Sequence, residues 1–299
     1  MGIIHKAISD AGDSKYIGLS TKMWHLNTYK YPDMKTTTYI YAFSFWFIWN
    51  AFGAKIILQY LLSLNFVPVS ICYILINIFP FILFFEVVVK ILFSSNISSK
   101  LNFVPTQLEA LSQIDTKTFN YYTNALESLG FSKISDLELS ESTLTVARLF
   151  CHPKHLCFAE VIQTPGRSIV FCAISSGLEQ EWSVSFRDNS PNLAIVYAFL
   201  RRPRGIIVVQ QGVTPEELLR SHLKFRQKMM RDLNLQLLPD ISIEAYFDQS
   251  QRVRTCQRKA LWRKSVIIGL VEMWLFNFKS EAQKSQLLGD YARLAARKG

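Results

Sequence analysis

Charge is nearly missing from one part of this chain. Between Thr38 and Phe93 the only side chains with full charge at neutral pH are Lys55, Glu86 and Lys90. A run so poor in charge excludes an ordinary half-buried soluble fold there, because it has no polar face to give to water. Recognisable catalytic signatures are also missing. The sequence has no G-x-x-x-x-G-K-[ST] phosphate loop, no G-x-G-x-x-G after a strand, no G-x-S-x-G elbow and no H-E-x-x-H. These absences give no ground for naming a reaction, and no cofactor is implied. Cysteine is sparse and odd in number: Cys72, Cys151, Cys157, Cys172 and Cys256. No disulfide framework follows from five cysteines without scaffold spacing, which fits a reducing compartment.

The charge-poor stretch divides in two. Segments of about 38–62 and 66–93 each exceed the roughly 20 residues needed to cross a bilayer core. Only Ser63, Leu64 and Asn65 separate them, which predicts an antiparallel transmembrane hairpin. That connection lacks Lys and Arg, whereas Lys22, Lys30, Lys35, Lys90 and Lys100 flank the other ends. The asymmetry predicts that both termini are cytoplasmic. Glu86 and Lys90 stand four apart in the favourable order for a helical ion pair. Lys55 is expected to snorkel to the outer interface, and Pro80 to kink the second helix. The aromatic residues Tyr39, Tyr41, Phe43, Phe45, Trp46, Phe47 and Trp49 suit hairpin packing and an interfacial belt. The polar segment 1–37 has no assigned role, and either Met1 or Met34 can serve as the start.

Residues 94–299 have ordinary globular composition and enough length for a core of their own. Thr106 to Phe131 reads as an amphipathic helix entered after Pro105 and closed by Gly130. From Ile134 to Arg187 short β-rich runs alternate with polar turns such as HPKH and TPGR, predicting an antiparallel meander. AIVYAFL and GIIVVQQ, flanking RRPRG, predict a further hairpin. Thr214, Pro215 and Glu217 form a capping-box signature at the start of a helix. On that helix Arg220, Lys224, Lys228 and Arg231 share an arc of about 80°, with Leu219, Leu223, Met230 and Leu233 on another face. A last helical region follows Pro239-Asp240. The class expected is α+β, an antiparallel sheet covered by helices behind the hairpin.

Positive charge is concentrated locally. Residues 94–299 hold 26 Lys and Arg against 19 Asp and Glu, and 201–264 alone holds 14 against 6. The candidate binding residues are therefore Arg220, Lys224, Lys228 and Arg231, with Arg252, Arg254, Arg258, Lys259, Arg263 and Lys264. Their expected partners are anionic lipid headgroups or an acidic protein. Nucleic acid is disfavoured because no aromatic platform accompanies the basic arc. The apolar run 265–278 is too short to span and contains Glu272, so it is either a core helix or a surface-lying membrane helix.

One constellation has metal-ligand chemistry: Cys151, His152, His155 and Cys157. Their C-H-x-x-H-x-C spacing is not a familiar zinc arrangement, and a β-turn with cysteines packed as small hydrophobes accounts for the same residues. We therefore expect no metal. Cys172, on the next strand, either joins such a site or shares its core. His222 reads as a helix-face histidine.

The blocks NALESLGF, HPKHLCFAEV, RRPRG, ELLRSHLKFRQKM and RKSVIIGLVEMWLF resemble a group of uncharacterised two-span membrane proteins of cyanobacteria, over roughly residues 38–290. The resemblance implies a plasma- or thylakoid-membrane setting and carries no catalytic residue. The function expected is a membrane-anchored accessory or binding protein. The alternatives are a membrane-bound enzyme with a cleft near 151–157, or a small subunit of a larger membrane complex.

Overall fold

The structure is a computed structural model. It describes residues 68–97, 100–108, 114–139, 145–163, 169–190 and 193–297, with single positions 44, 56, 59, 60, 63 and 111. The polar segment 1–37, Lys55, the aromatic group 39–49 apart from Ser44, and the proposed connection at Leu64 and Asn65 lie outside the described residues. Ser63 is helical. The chain forms two compact units, Met1–Phe84 and Phe85–Gly299.

Helix α1, Val69–Asn96, follows the second apolar segment and runs on through Pro80. Among the described residues no helix is long and apolar enough to cross a membrane. Within α1 the side chains are described without a gap only from Phe81 to Ser94.

The second unit is built on a mixed sheet of eight strands whose spatial order is their chain order. The first five are β1 (Phe103–Pro105), β2 (Ser132–Leu139), β3 (Thr145–His152), β4 (Cys157–Gln163) and β5 (Val170–Gly177). β6 (Ser183–Arg187), β7 (Gly205–Val209) and β8 (Gln286–Leu287) complete it. The meander of β3 to β6 is the one the alternating pattern predicts.

Three expectations need correcting. AIVYAFL is not a strand but helix α3, Leu193–Phe199. It carries the chain over one face, so β7 joins β6 in parallel instead of closing a hairpin. A parallel neighbour needs such a crossover, and the sheet is consequently mixed rather than wholly antiparallel. The helix expected from Thr106 begins only at Thr116 (α2, Thr116–Ser128), where Asp115 caps it by accepting from the Thr118 amide at 3.0 Å. Pro105 ends β1 instead of opening that helix.

Both faces of the sheet are covered. On one, α2 and α4 (Pro215–Leu233) pack Phe119, Leu126, Leu218 and Met229 against Phe150, Val161, Ile174 and Ile206. The Thr214–Glu217 capping box is present, with Pro215 in the first turn. On the other face lie α3, α5 (Ile243–Arg263) and α6 (Val266–Phe276). Tyr246 of α5 meets Leu137, Leu149 and Phe158, while Phe276 of α6 meets Ile207 and Val209. Burial on both sides explains why every residue of β7 is buried. The short elements α7 (Glu281–Lys284) and α8 (Tyr291–Ala295) flank β8.

One buried ion pair fixes the register of β2 on β3. Asp136 and Arg148 are cross-strand partners. Arg148 donates through Nε at 2.7 Å and through a terminal nitrogen at 3.0 Å, and also to Thr123 Oγ1 at 3.1 Å. Paired in this bidentate way, neither charge is left alone in the interior.

Candidate docking face and ligand cavity

Helix α6 has two apolar faces. Val266, Gly269, Met273 and Phe276 turn inward onto α3 and its neighbours. The close approach needs glycine: a Cβ on Gly269 would stand 2.1 Å from Phe199 Cε1. Ile267, Ile268, Leu270, Val271, Trp274, Leu275 and Phe278 point outward, within an arc of about 160° at 100° per residue. Of these Ile268 is 56%, Trp274 61% and Phe278 70% exposed, and Trp262 at the end of α5 extends the same surface. The inner face of 265–278 thus packs into the core, and the outer face is exposed.

A carboxylate from α1 holds the start of α6. Ser265 makes no side-chain cap of its own helix. Instead Glu86 accepts from the Val266 amide at 2.8 Å and from the Ser265 hydroxyl. A negative charge here meets unsatisfied N–H groups and the positive end of the helix dipole. Glu86 also forms the expected pair with Lys90 at 3.2 Å, and Lys90 donates to the Trp262 carbonyl at 3.4 Å. Lys264 pairs with Glu272.

The basic residues singled out from sequence fall on two layers. Arg220, Lys224, Lys228 and Arg231 are all exposed on α4, which covers the sheet face opposite α6. Arg220 pairs with Glu216 at 2.8 Å. Arg252, Arg254, Arg258, Lys259 and Arg263 lie on α5, in the same layer as α6, and Lys264 follows directly. A flat bilayer cannot meet both sets at once.

Residues 151–157 do not converge. Cys151 pairs across the ladder with Phe158 and packs on the α5 side. His152 pairs with Cys157, and Cys157 sits in the core beneath α2 and α4. The two cysteines therefore occupy opposite faces of the sheet. His152 Nε2 lies 3.1 Å from the Leu129 carbonyl, and its ring is 4.4 Å from that of His155. Burial pulls both imidazoles below the usual range and holds Cys157 up at about 12. Cys172 is fully buried in the same core, where burial raises its thiol. Among the described residues no three His, Cys, Asp or Glu are placed to hold a metal ion.

Two features escaped sequence reasoning. The first is a buried polar knot: Arg226 of α4 donates to Ser176 Oγ at 2.9 Å and to the His155 carbonyl at 2.7 Å. His222 Nε2 stands 2.9 Å from the same hydroxyl, with no exposure at all. Burial and Arg226 push His222 down to about 3. Positions 222 and 226 are one turn apart between apolar neighbours, the only signal the sequence offered. The second is a cavity of about 610 Å³ between the β5–β6 connection, the Arg201–Arg204 loop and α5. Its walls combine Trp182, Leu238, Val253 and Ala260 with six Arg or Lys side chains and two Glu. Segments far apart in sequence build it, so no local motif marks it.

No protein-family model, no curated protein and no solved structure matches this chain.

Proposed function

We propose that the chain is a membrane-anchored binding protein whose α+β unit lies against the cytoplasmic surface of the bilayer, with the outer face of α6 in the headgroup–acyl boundary. The observation that carries this reading is the outward apolar face of α6, an ordered helix surface of seven large hydrophobic side chains. An exposed contiguous patch of that kind is a liability in water and an asset in an interface. Three further features support it. Trp274 lies within the face, Trp262 of α5 is also exposed, and α5 carries cations in the same layer, as anionic headgroups require. The α6 N-terminus is tied to Glu86, which belongs to the apolar segment 66–93. The lysine-free connection at 63–65 puts the flanking lysines, and with them the termini, on the cytoplasmic side. The α4 stripe then faces away from the lipid and is free for an acidic protein partner.

Depth measurement tests the reading. Full-length protein with its native cysteines replaced by serine is placed in nanodiscs containing phosphatidylglycerol, with a nitroxide at 268, 274 or 228. Labels at 268 and 274 should be relaxed by oxygen and shielded from a water-soluble nickel complex, and 228 the reverse. Free access of the nickel complex to 268 and 274 refutes docking, and a protein partner then becomes the occupant to seek. In intact cells a cysteine at 64 should react with a membrane-impermeant maleimide. Labelling only after lysis would overturn the topology.

A further inference from the structure

Arg202 is a cation without a counter-ion. Its side chain is half-buried and stacks over the bare Cα of Gly205, where a Cβ would come within 2.7 Å of the guanidinium carbon. Its charged neighbour is Arg187, of like sign, and the Cys256 thiol is also near. Burial and Arg187 together lower the guanidinium to about 10. Among the described residues no carboxylate pairs with it. Gly205 lies directly across the parallel ladder from Ser183. Partners in register share a face, so the Ser183 hydroxyl emerges beside the guanidinium. That hydroxyl belongs to a residue only 7% exposed and has no hydrogen-bond partner among the described residues. Both residues line the 610 Å³ cavity, and both also line a smaller adjoining recess of about 200 Å³ that contains Arg187.

An unpaired half-buried cation and an idle buried donor each cost stability unless a ligand satisfies them. Arg252, Lys259 and Arg263 stand at the mouth, all exposed, and they attract an anion toward Arg202. Glu179 and Glu181 also line the cavity, and Trp182, Val253 and Ala260 give it an apolar stretch that suits a hydrocarbon tail. A planar fork of donors matches a phosphate oxygen pair better than it matches a single-point acceptor. We propose that this cavity binds a phosphate-headed amphiphile, with the phosphate on Arg202 and the Ser183 hydroxyl and its apolar portion along Trp182 and Val253.

The inference goes beyond bilayer docking and turns on Arg202 and Ser183, which docking does not use, so either can fail alone. Hexyl phosphate is titrated by calorimetry into full-length protein held in phosphatidylcholine nanodiscs, with hexanol and inorganic phosphate as comparators. Hexyl phosphate should bind at least tenfold more tightly than either comparator. R202Q should weaken it at least tenfold and S183A severalfold, while K228Q, on the opposite layer, leaves it unchanged. S183A removes one oxygen and keeps the fold testable should R202Q misfold. Including phosphatidic acid in the discs separates the sources. If it suppresses hexyl phosphate binding, the ligand is a bilayer lipid; if it does not, the ligand is a soluble phosphate ester. Absence of hexyl phosphate binding, or equal binding by the parent and S183A, overturns the proposal.

Discussion

Acid should loosen this fold through one residue, His222. The imidazole is fully buried, 2.9 Å from a hydroxyl that already accepts from Arg226. Arg226 can only donate, so the Ser176 proton is left for His222 Nε2, and the neutral ring is the form that fits. Protonation would put a second cation beside Arg226. Phe186 packs on the His222 ring, the His155 carbonyl and the Cys157 thiol lie beside Arg226, and none of these is a carboxylate. Folded His222 takes up its proton only near pH 3, whereas the unfolded chain takes one up below its ordinary 6.5. Between those values the unfolded state binds more protons, so stability is full above 6.5 and falls as pH drops. Going from about pH 7.5 to 5 should cost about 2 kcal/mol, approaching about 5 kcal/mol near pH 3. For a unit of this size 2 kcal/mol is roughly 4–8 °C in apparent Tm. The assay is thermal unfolding of the full-length protein in nanodiscs across that range, for the parent and for H222Q. His152 and His155, also lowered by burial, add in the same direction and persist in both proteins. The variant should therefore show a smaller but nonzero acid loss. Identical slopes for the two proteins would refute the reasoning.

Other perturbations have equally direct expectations. G269L should drive Phe199 from its place and lift α6, costing about 1–3 kcal/mol; an unchanged Tm would mean α6 is not packed as described. R148M should cost up to about 3–5 kcal/mol by leaving the buried Asp136 carboxylate to Lys133 alone, 2.8 Å away, and adding D136L should recover part of that loss in denaturant titrations. T214A should cost about 1 kcal/mol by removing the α4 cap, with T214S close to the parent.

The sequence made the meander readable because each strand is a short run rich in β-branched and aromatic residues and each turn is polar, so β3 to β6 stand where the pattern puts them. The α4 helix was readable for a different reason: its cap, its first-turn proline and its two faces all point the same way. α3 was misread because Ile195, Val196 and Tyr197 are strand formers by propensity, and only the need to cross over to a parallel neighbour makes them helical. The α2 start was misread because Leu108 and Leu111 continue a helical spacing by chance. Leu108 is buried from a 3-10 turn, and Asp115 sets the true boundary. Of the candidate site, the apolar face at 265–278 and the cations of α5 could be found in advance. Arg202 and Ser183 could not, because their meeting depends on the β6–β7 register.

The strand order carries a consequence for how the chain acquires its structure. Because β1 to β8 are neighbours in the order in which they are made, each new strand finds its partner already on the edge of the growing sheet. Synthesis from the N-terminus delivers the apolar segments first and then lays down the meander. One strand is the exception: β7 ends at Val209 and its outer partner β8 begins only at Gln286. The β7 edge therefore stays open while α4, α5 and α6 are made, and α4 follows at once to cover one face of the sheet. A chain arrested between Val209 and Gln286 is the aggregation-prone species of this protein.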